Sequence, residues 1–105
     1  ETPAKPRRRI ISMATQIVAG NDTPLGYQQI TNLSASVGLA VPAGARWALI
    51  IPQTQAVRWL ELGTPTASVG MPQAVGQVLQ YTGNLSAIRF IEQTASAALN
   101  VSYYG

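Results

Sequence analysis

Turn-forming residues cut this chain into short pieces, and their spacing is what most limits its fold. Gly20-Asn21-Asp22, Thr23-Pro24-Leu25-Gly26, Pro42-Ala43-Gly44, Pro52, the run 63–72 with Pro65, Gly70 and Pro72, and Thr82-Gly83-Asn84 punctuate it. Such signals recur about every eight to twelve residues, the rhythm of an antiparallel sandwich or small barrel. The pieces between them carry β-branched and aromatic residues in alternation. In 55–62, Val57 and Trp59 share one face and Arg58 takes the other. In 86–92, Ile88 and Phe90 oppose Arg89, and in 98–104, Leu99, Val101 and Tyr103 fall together. A period of two is the signature of a strand with one face buried.

Strands are therefore predicted over 10–19, 27–33, 37–41, 47–51, 55–62, 76–81, 86–92 and 98–104. Pro52 is expected to stop the fifth decade's strand, because proline has no N–H to give a ladder. The segment 74–80 also has a helix-compatible pattern, and Gly76 and Gly83 favour strand there. The expected fold class is all-β: a small antiparallel β-sandwich or jelly-roll-like barrel over 10–105, preceded by an extended basic arm over 1–9.

The arm, ETPAKPRRR, has two prolines and no apolar periodicity, so it should be extended. Lys5, Arg7, Arg8 and Arg9 against Glu1 give it a charge of four minus one, which is the whole net +3 of the chain. The rest balances Arg46, Arg58 and Arg89 against Asp22, Glu61 and Glu92. The sharper reading of the arm is docking on an acidic protein surface; the plainer one is a solvated tail. Three consecutive arginines neutralise only a few phosphates, and no basic patch with interleaved aromatics follows, so specific nucleic-acid binding is not expected. Arg7–Arg9 before Ile10 and Ile11 begins like a secretion leader, but Ser12, Thr15 and Gln16 interrupt the apolar stretch. No run approaches the roughly 20 apolar residues of a membrane-spanning helix.

The inventory for chemistry is thin. The chain has no His and no Cys, and four carboxylate side chains in all. Imidazole, thiolate or convergent carboxylates underlie most hydrolytic, transfer and metal-dependent reactions, so no catalytic, cofactor or metal site is expected. Glu61 and Glu92 lie on different predicted strands, but Arg58 and Arg89 stand three residues before them and are the expected counter-charges. The run 63–70, GTPTASVG, lacks the Lys-Ser/Thr ending of a phosphate loop and no helix clearly follows it.

Charged residues make up only 10% of the chain and apolar ones 47%. So few charges leave a lone copy with little to cover its surface, which points to burial against other copies or a partner. Arg58 and Arg89, each between apolar neighbours, suit an interface: the stem packs and the head bonds carboxylates. Trp47, Trp59, Tyr27, Tyr81, Tyr103 and Tyr104 offer aromatic surface, and carbohydrate stacking is one use for it. Trp59 is the expected exposed member, since Leu60 and Leu62 compete for the core face. Tyr103 and Tyr104 must face opposite ways, which leaves one free for a partner.

Several runs carry a resemblance when taken in order. They are Val41-Pro42-Ala43-Gly44-Ala45, Gln55-Ala56-Val57-Arg58-Trp59, and Thr64-Pro65-Thr66-Ala67-Ser68-Val69-Gly70-Met71-Pro72. Leu85-Ser86-Ala87-Ile88-Arg89-Phe90-Ile91 and Leu99-Asn100-Val101-Ser102-Tyr103-Tyr104 complete the set. Over about residues 30–104 the chain resembles small virion proteins of tailed bacteriophages, of the capsid decoration or cement type. The resemblance implies a non-enzymatic structural protein, made in the host cytoplasm and bound outside the head. There it would staple neighbouring major capsid proteins, as a homotrimer or, alternatively, a dimer. The interaction residues expected are Lys5, Arg7, Arg8, Arg9, Arg58, Trp59, Arg89 and Tyr104. A fibre, tail or baseplate component and a carbohydrate-binding module are the alternatives.

Overall fold

The computed structural model describes residues 22–105. The basic arm over 1–9 and the strand predicted over 10–19 lie outside them. Seven strands follow: β1 (Pro24–Ile30), β2 (Trp47–Gln53), β3 (Val57–Leu60), β4 (Met71–Gln73), β5 (Leu79–Tyr81), β6 (Arg89–Glu92) and β7 (Ala98–Tyr104). They form two antiparallel sheets, one in the order β1-β7-β2-β5 and one in the order β4-β3-β6. The described fold is thus all-β, with two sheets rather than a closed barrel. Among the described residues no helix is long and apolar enough to cross a membrane.

One core joins the sheets. Ala48, Ile50, Leu99, Val101 and Tyr103 point inward from the larger sheet and meet Val57 and Phe90 of the smaller one. The alternation in β7 sets this directly, since Leu99, Val101 and Tyr103 are fully buried in consecutive inward positions. Burying a side chain of this size contributes about 1.5–3 kcal/mol. Leu33, Leu85, Ile88 and Ala97 fill the core from the connections.

Prolines fall differently from the expectation. Pro52 does not stop β2 but lies within it, opposite Leu99 of β7. Its carbonyl accepts from the Gly76 N–H at 2.9 Å, so its nitrogen faces the same way, past the end of β5, whose pairing stops at Leu79. No ladder donor is wanted there, and proline costs nothing. Pro24 opens β1 next to a register shift at Gly26, where a second turn was expected. Pro72 sits mid-way along β4, a strand hidden inside the run read as a loop.

Residues 37–41 are not a strand. Val37 alone forms a bridge, exchanging two 2.8 Å bonds with Phe90 of β6. The Ala40 N–H goes instead to the side chain of Gln28 in β1, at 3.1 Å. The segment 31–46 is a strap crossing from β1 to the edge of β6, with Leu33 fully buried and Val37, Leu39 and Val41 packed on the core. The Glu92 N–H reaches back to the Leu33 carbonyl, so the strap satisfies the open edge of β6.

Two other strands are shorter than their patterns. Asn84 bonds the Ser86 N–H with its side chain, and its carbonyl accepts from Ala87, so a turn consumes the first half of 86–92. Gly76, at φ 79°, belongs to the turn Ala74–Gln77 rather than to β5.

Candidate interaction surfaces

β3 and β6 pair so that Arg58 faces Ile91 and Leu60 faces Arg89, which places both arginines diagonally on the outer face of the smaller sheet. The alternation that buries Val57 and Phe90 requires this. Neither arginine pairs with Glu61 or Glu92, contrary to the expectation. The one salt bridge among the described residues is Arg46–Asp22 at 3.2 Å. Arg46 is exposed and Asp22 half-buried, and the pair contributes about 0–1 kcal/mol.

Both guanidinium groups instead hold backbone. Arg58 donates from Nε to the Ala67 carbonyl at 3.1 Å and from Nη1 to the Gly70 carbonyl at 2.8 Å. The Gln93 amide oxygen accepts from Nη2 at 3.1 Å in the orientation that satisfies both polar atoms of that amide. Gly70 makes this fit possible. Its φ of 142° is outside the range of ordinary side chains, and a Cβ there would stand 3.1 Å from Arg58 Cβ and from the Trp59 carbonyl oxygen. Arg89 donates from Nε to Ser36 Oγ at 2.9 Å and from Nη2 to the Ser36 carbonyl at 3.0 Å, fastening the strap. Carbonyls orient a cation without neutralising it, so both positive charges are still there to meet an anionic surface.

Trp59 is not the exposed aromatic. It is half-buried on the inward side of β3, edge-on to Tyr81 with ring centroids 6.3 Å apart, and its Nε1 points at Gln73 Oε1 at 3.4 Å. Leu62, a rival for the core in the sequence reading, is 92% exposed, because β3 has already ended at Leu60. Tyr81 donates its hydroxyl to Glu61 at 2.6 Å. Burial above all, then the hydrogen bond to Glu61 and its charge, push this phenol up to about 12. Burial alone pushes Tyr103 up to about 12; its hydroxyl donates to Gln28 Oε1 at 2.7 Å.

Tyr103 and Tyr104 do face opposite ways, but neither is free. Tyr103 is in the core. Tyr104 lies on the outer face of the larger sheet, directly across the ladder from Trp47, and their rings stack at 4.3 Å and 19°. That stack, with Leu49, forms a second small buried cluster. The exposed aromatic is Tyr27 in β1, at 65% exposure on the same outer face. Its hydroxyl donates to Asn100 Oδ1 at 2.6 Å, Gln29 donates to the same oxygen, and Asn100 donates to Gln53. This row of neutral amides and one phenol was not singled out in the sequence. The signal was there in the polar positions Asn100 and Ser102 alternating with apolar ones along β7.

The structure therefore brings Arg58 and Arg89 onto one face, turns Trp59 inward and buries Tyr104. Lys5, Arg7, Arg8 and Arg9 lie outside the described residues. Among the described residues no three metal-ligating side chains converge. Comparison of the chain with protein families, with curated proteins and with solved structures finds no match.

Proposed function

We propose that this chain is a non-enzymatic virion structural protein of the capsid decoration type. On this reading it binds the outside of a phage head and staples neighbouring major capsid proteins as a homo-oligomer. The observation that carries the reading is the outer face of the smaller sheet. Two arginines stand there on one rigid face, oriented by carbonyls and free of carboxylate partners among the described residues. Such a face supplies charge complementarity to an acidic protein surface, and repetition over a lattice turns modest single contacts into firm attachment. The order of motifs that resembles phage decoration proteins supplies the kind of partner, and the all-β fold agrees with it.

The test is cosedimentation of the purified protein with phage heads lacking it, at low and high salt. Saturable binding at a fixed ratio to the major capsid protein, weakened by Arg58→Gln and Arg89→Gln, is the expected result. Failure to bind heads at low salt removes the reading. Deleting residues 1–9 separates the arm's part: an unchanged affinity and salt slope rule out its docking role.

A second reading draws on Tyr27. An exposed phenol held in place beside Gln29, Asn100 and Gln53 on a neutral sheet face fits stacking and hydrogen bonding to a sugar. A blank glycan array removes that reading.

A further inference from the structure

Strand β2 does not alternate as β7 does. Trp47-Ala48-Leu49-Ile50-Ile51 is apolar at every position, and its first four residues are buried. A continuous apolar run marks a strand covered on both faces. Ala48 and Ile50 face the core, so Trp47 and Leu49 stand on the outer face of the larger sheet, beside Tyr104. Trp47, Leu49 and Tyr104 are each 8% exposed, whereas Tyr27, on the same face over β1, is 65% exposed. The outer face is thus closed over β2 and open over β1. Stacking of Trp47 on Tyr104 hides one flank of each ring, but it does not roof Leu49, two residues along β2. Among the described residues this cluster gathers no further apolar side chain.

One contact tells where the cover comes from. The Asp22 carboxylate accepts from the Trp47 indole Nε1 and from Arg46 Nη2. Thr23 and Gly105 exchange two backbone bonds, so the chain passes the end of β7 and its first described residue sits against the patch. The segment that ends there suits such a seat. From Ile10 to Asn21 the sequence has no charge, and Ile10, Ile11, Met13, Ile17 and Val18 are large and apolar. An uncharged apolar segment gains by covering an apolar face and brings no ion to desolvate. Val18 and Ile17 stand four and five residues before Asp22, a reach of up to about 14–18 Å. The step from one outward position of β2 to the next is roughly 7 Å, so both reach Leu49 with chain to spare.

We infer that residues 10–19 of the same copy lie over the Trp47–Leu49–Tyr104 patch and close the outer face of the larger sheet, with Asp22 as the pin. This goes beyond the reading above and does not depend on it. It also places the root of the basic arm. Residues 1–9 then leave from the side of the sandwich opposite Arg58 and Arg89, so the two groups of cations start from different faces.

The chain has no cysteine, so a single nitroxide can be attached where it is wanted. On Ser12→Cys in the full, isotope-labelled chain it is expected to broaden the Trp47 indole signal and the amides of Leu49 and Ser102. The amides of Arg58 and Ile91, in the smaller sheet, should broaden much less. Ile17→Asp with Val18→Asp is expected to quicken hydrogen exchange of the Trp47 indole N–H roughly tenfold or more, while the core amide of Val101 keeps its protection. Equal broadening in both sheets describes a solvated tail and overturns the inference. So does an indole that exchanges at the same rate in the double variant. A mixture of nitroxide-bearing chain without isotope and isotope-labelled chain without nitroxide should show no broadening. Broadening there assigns the patch to a second copy's segment and overturns the inference as well.

Discussion

The two sheets are held together by different means. In the larger one, β7 lies between β1 and β2, and each pairing runs nearly the full seven residues of the strands. Its backbone satisfies itself, and the alternation of β7 aligns the core. In the smaller sheet the strands are three or four residues long. Side chains there take over work that a longer ladder would do: Arg58 holds the β3–β4 turn and Arg89 holds the strap. The difference teaches that short strands remain a sheet when long side chains tether the connections to them.

Several substitutions would break or sharpen that contrast. The largest effect is expected at the shared core. Phe90 is fully buried and also bridges to the strap, so Phe90→Ala should cost about 3–5 kcal/mol in chemical denaturation and unfold both sheets in one transition. If the smaller sheet melts alone, the sheets are less coupled than the common core implies. Next comes Arg89→Met, which keeps the stem and removes two charge-assisted bonds to Ser36. A loss of about 1.5–3 kcal/mol is expected. Amide exchange should quicken at Val37 and Phe90 while Val101 in β7 stays protected. Equal quickening in both sheets would erase the distinction.

Alkali tests the two raised phenols. A tyrosine whose folded pKa exceeds its unfolded value of about 10 stabilises the fold fully below that pH. The contribution is lost as pH rises from there through the folded value of about 12. Stability should therefore fall between about pH 10 and 12, and Tyr81→Phe and Tyr103→Phe should each flatten the fall. An unchanged profile in both variants would place the alkaline loss elsewhere. The smallest effect is expected at Thr54. It sits at φ 76° in the tight link between β2 and β3, where the Gln55 N–H bonds the Gln53 carbonyl at 2.9 Å. A β-branched residue is strained in that region, so Thr54→Gly should raise stability by up to about 1 kcal/mol, read as a small rise in the thermal midpoint.

The same contrast explains what could be read from the sequence. The span of β7 was legible to the residue, because its alternation is uninterrupted and nothing else competes for it. That Arg58 and Arg89 each oppose the apolar face of their own strand was legible from alternation too; that the β3–β6 pairing brings them onto one face was not. Nor was what those arginines bond. Ala67, Gly70 and Ser36 offer carbonyls that no local pattern advertises, and the nearby Glu61 and Glu92 were the obvious and mistaken partners. Residues 37–41 have the composition of a strand, but their neighbour across the gap is a side chain, Gln28, so only one bridge forms. Tyr104 was placed on the correct face. Its burial depends on a partner, Trp47, that is 57 positions away in the chain and opposite it only through strand register.

The central position of β7 also governs when the fold can exist. Strands β1 and β2 do not pair with each other; each pairs with β7, made more than forty residues after them. A ribosome delivering this chain releases β1 and β2 long before the strand that unites them, and in that interval β2 has only the short β5 to pair with, along its other edge. Pairings so distant in sequence form slowly, after a long loop has closed. The chain's period of greatest exposure to aggregation is thus set by translation, and it ends only when residues 98–104 have emerged.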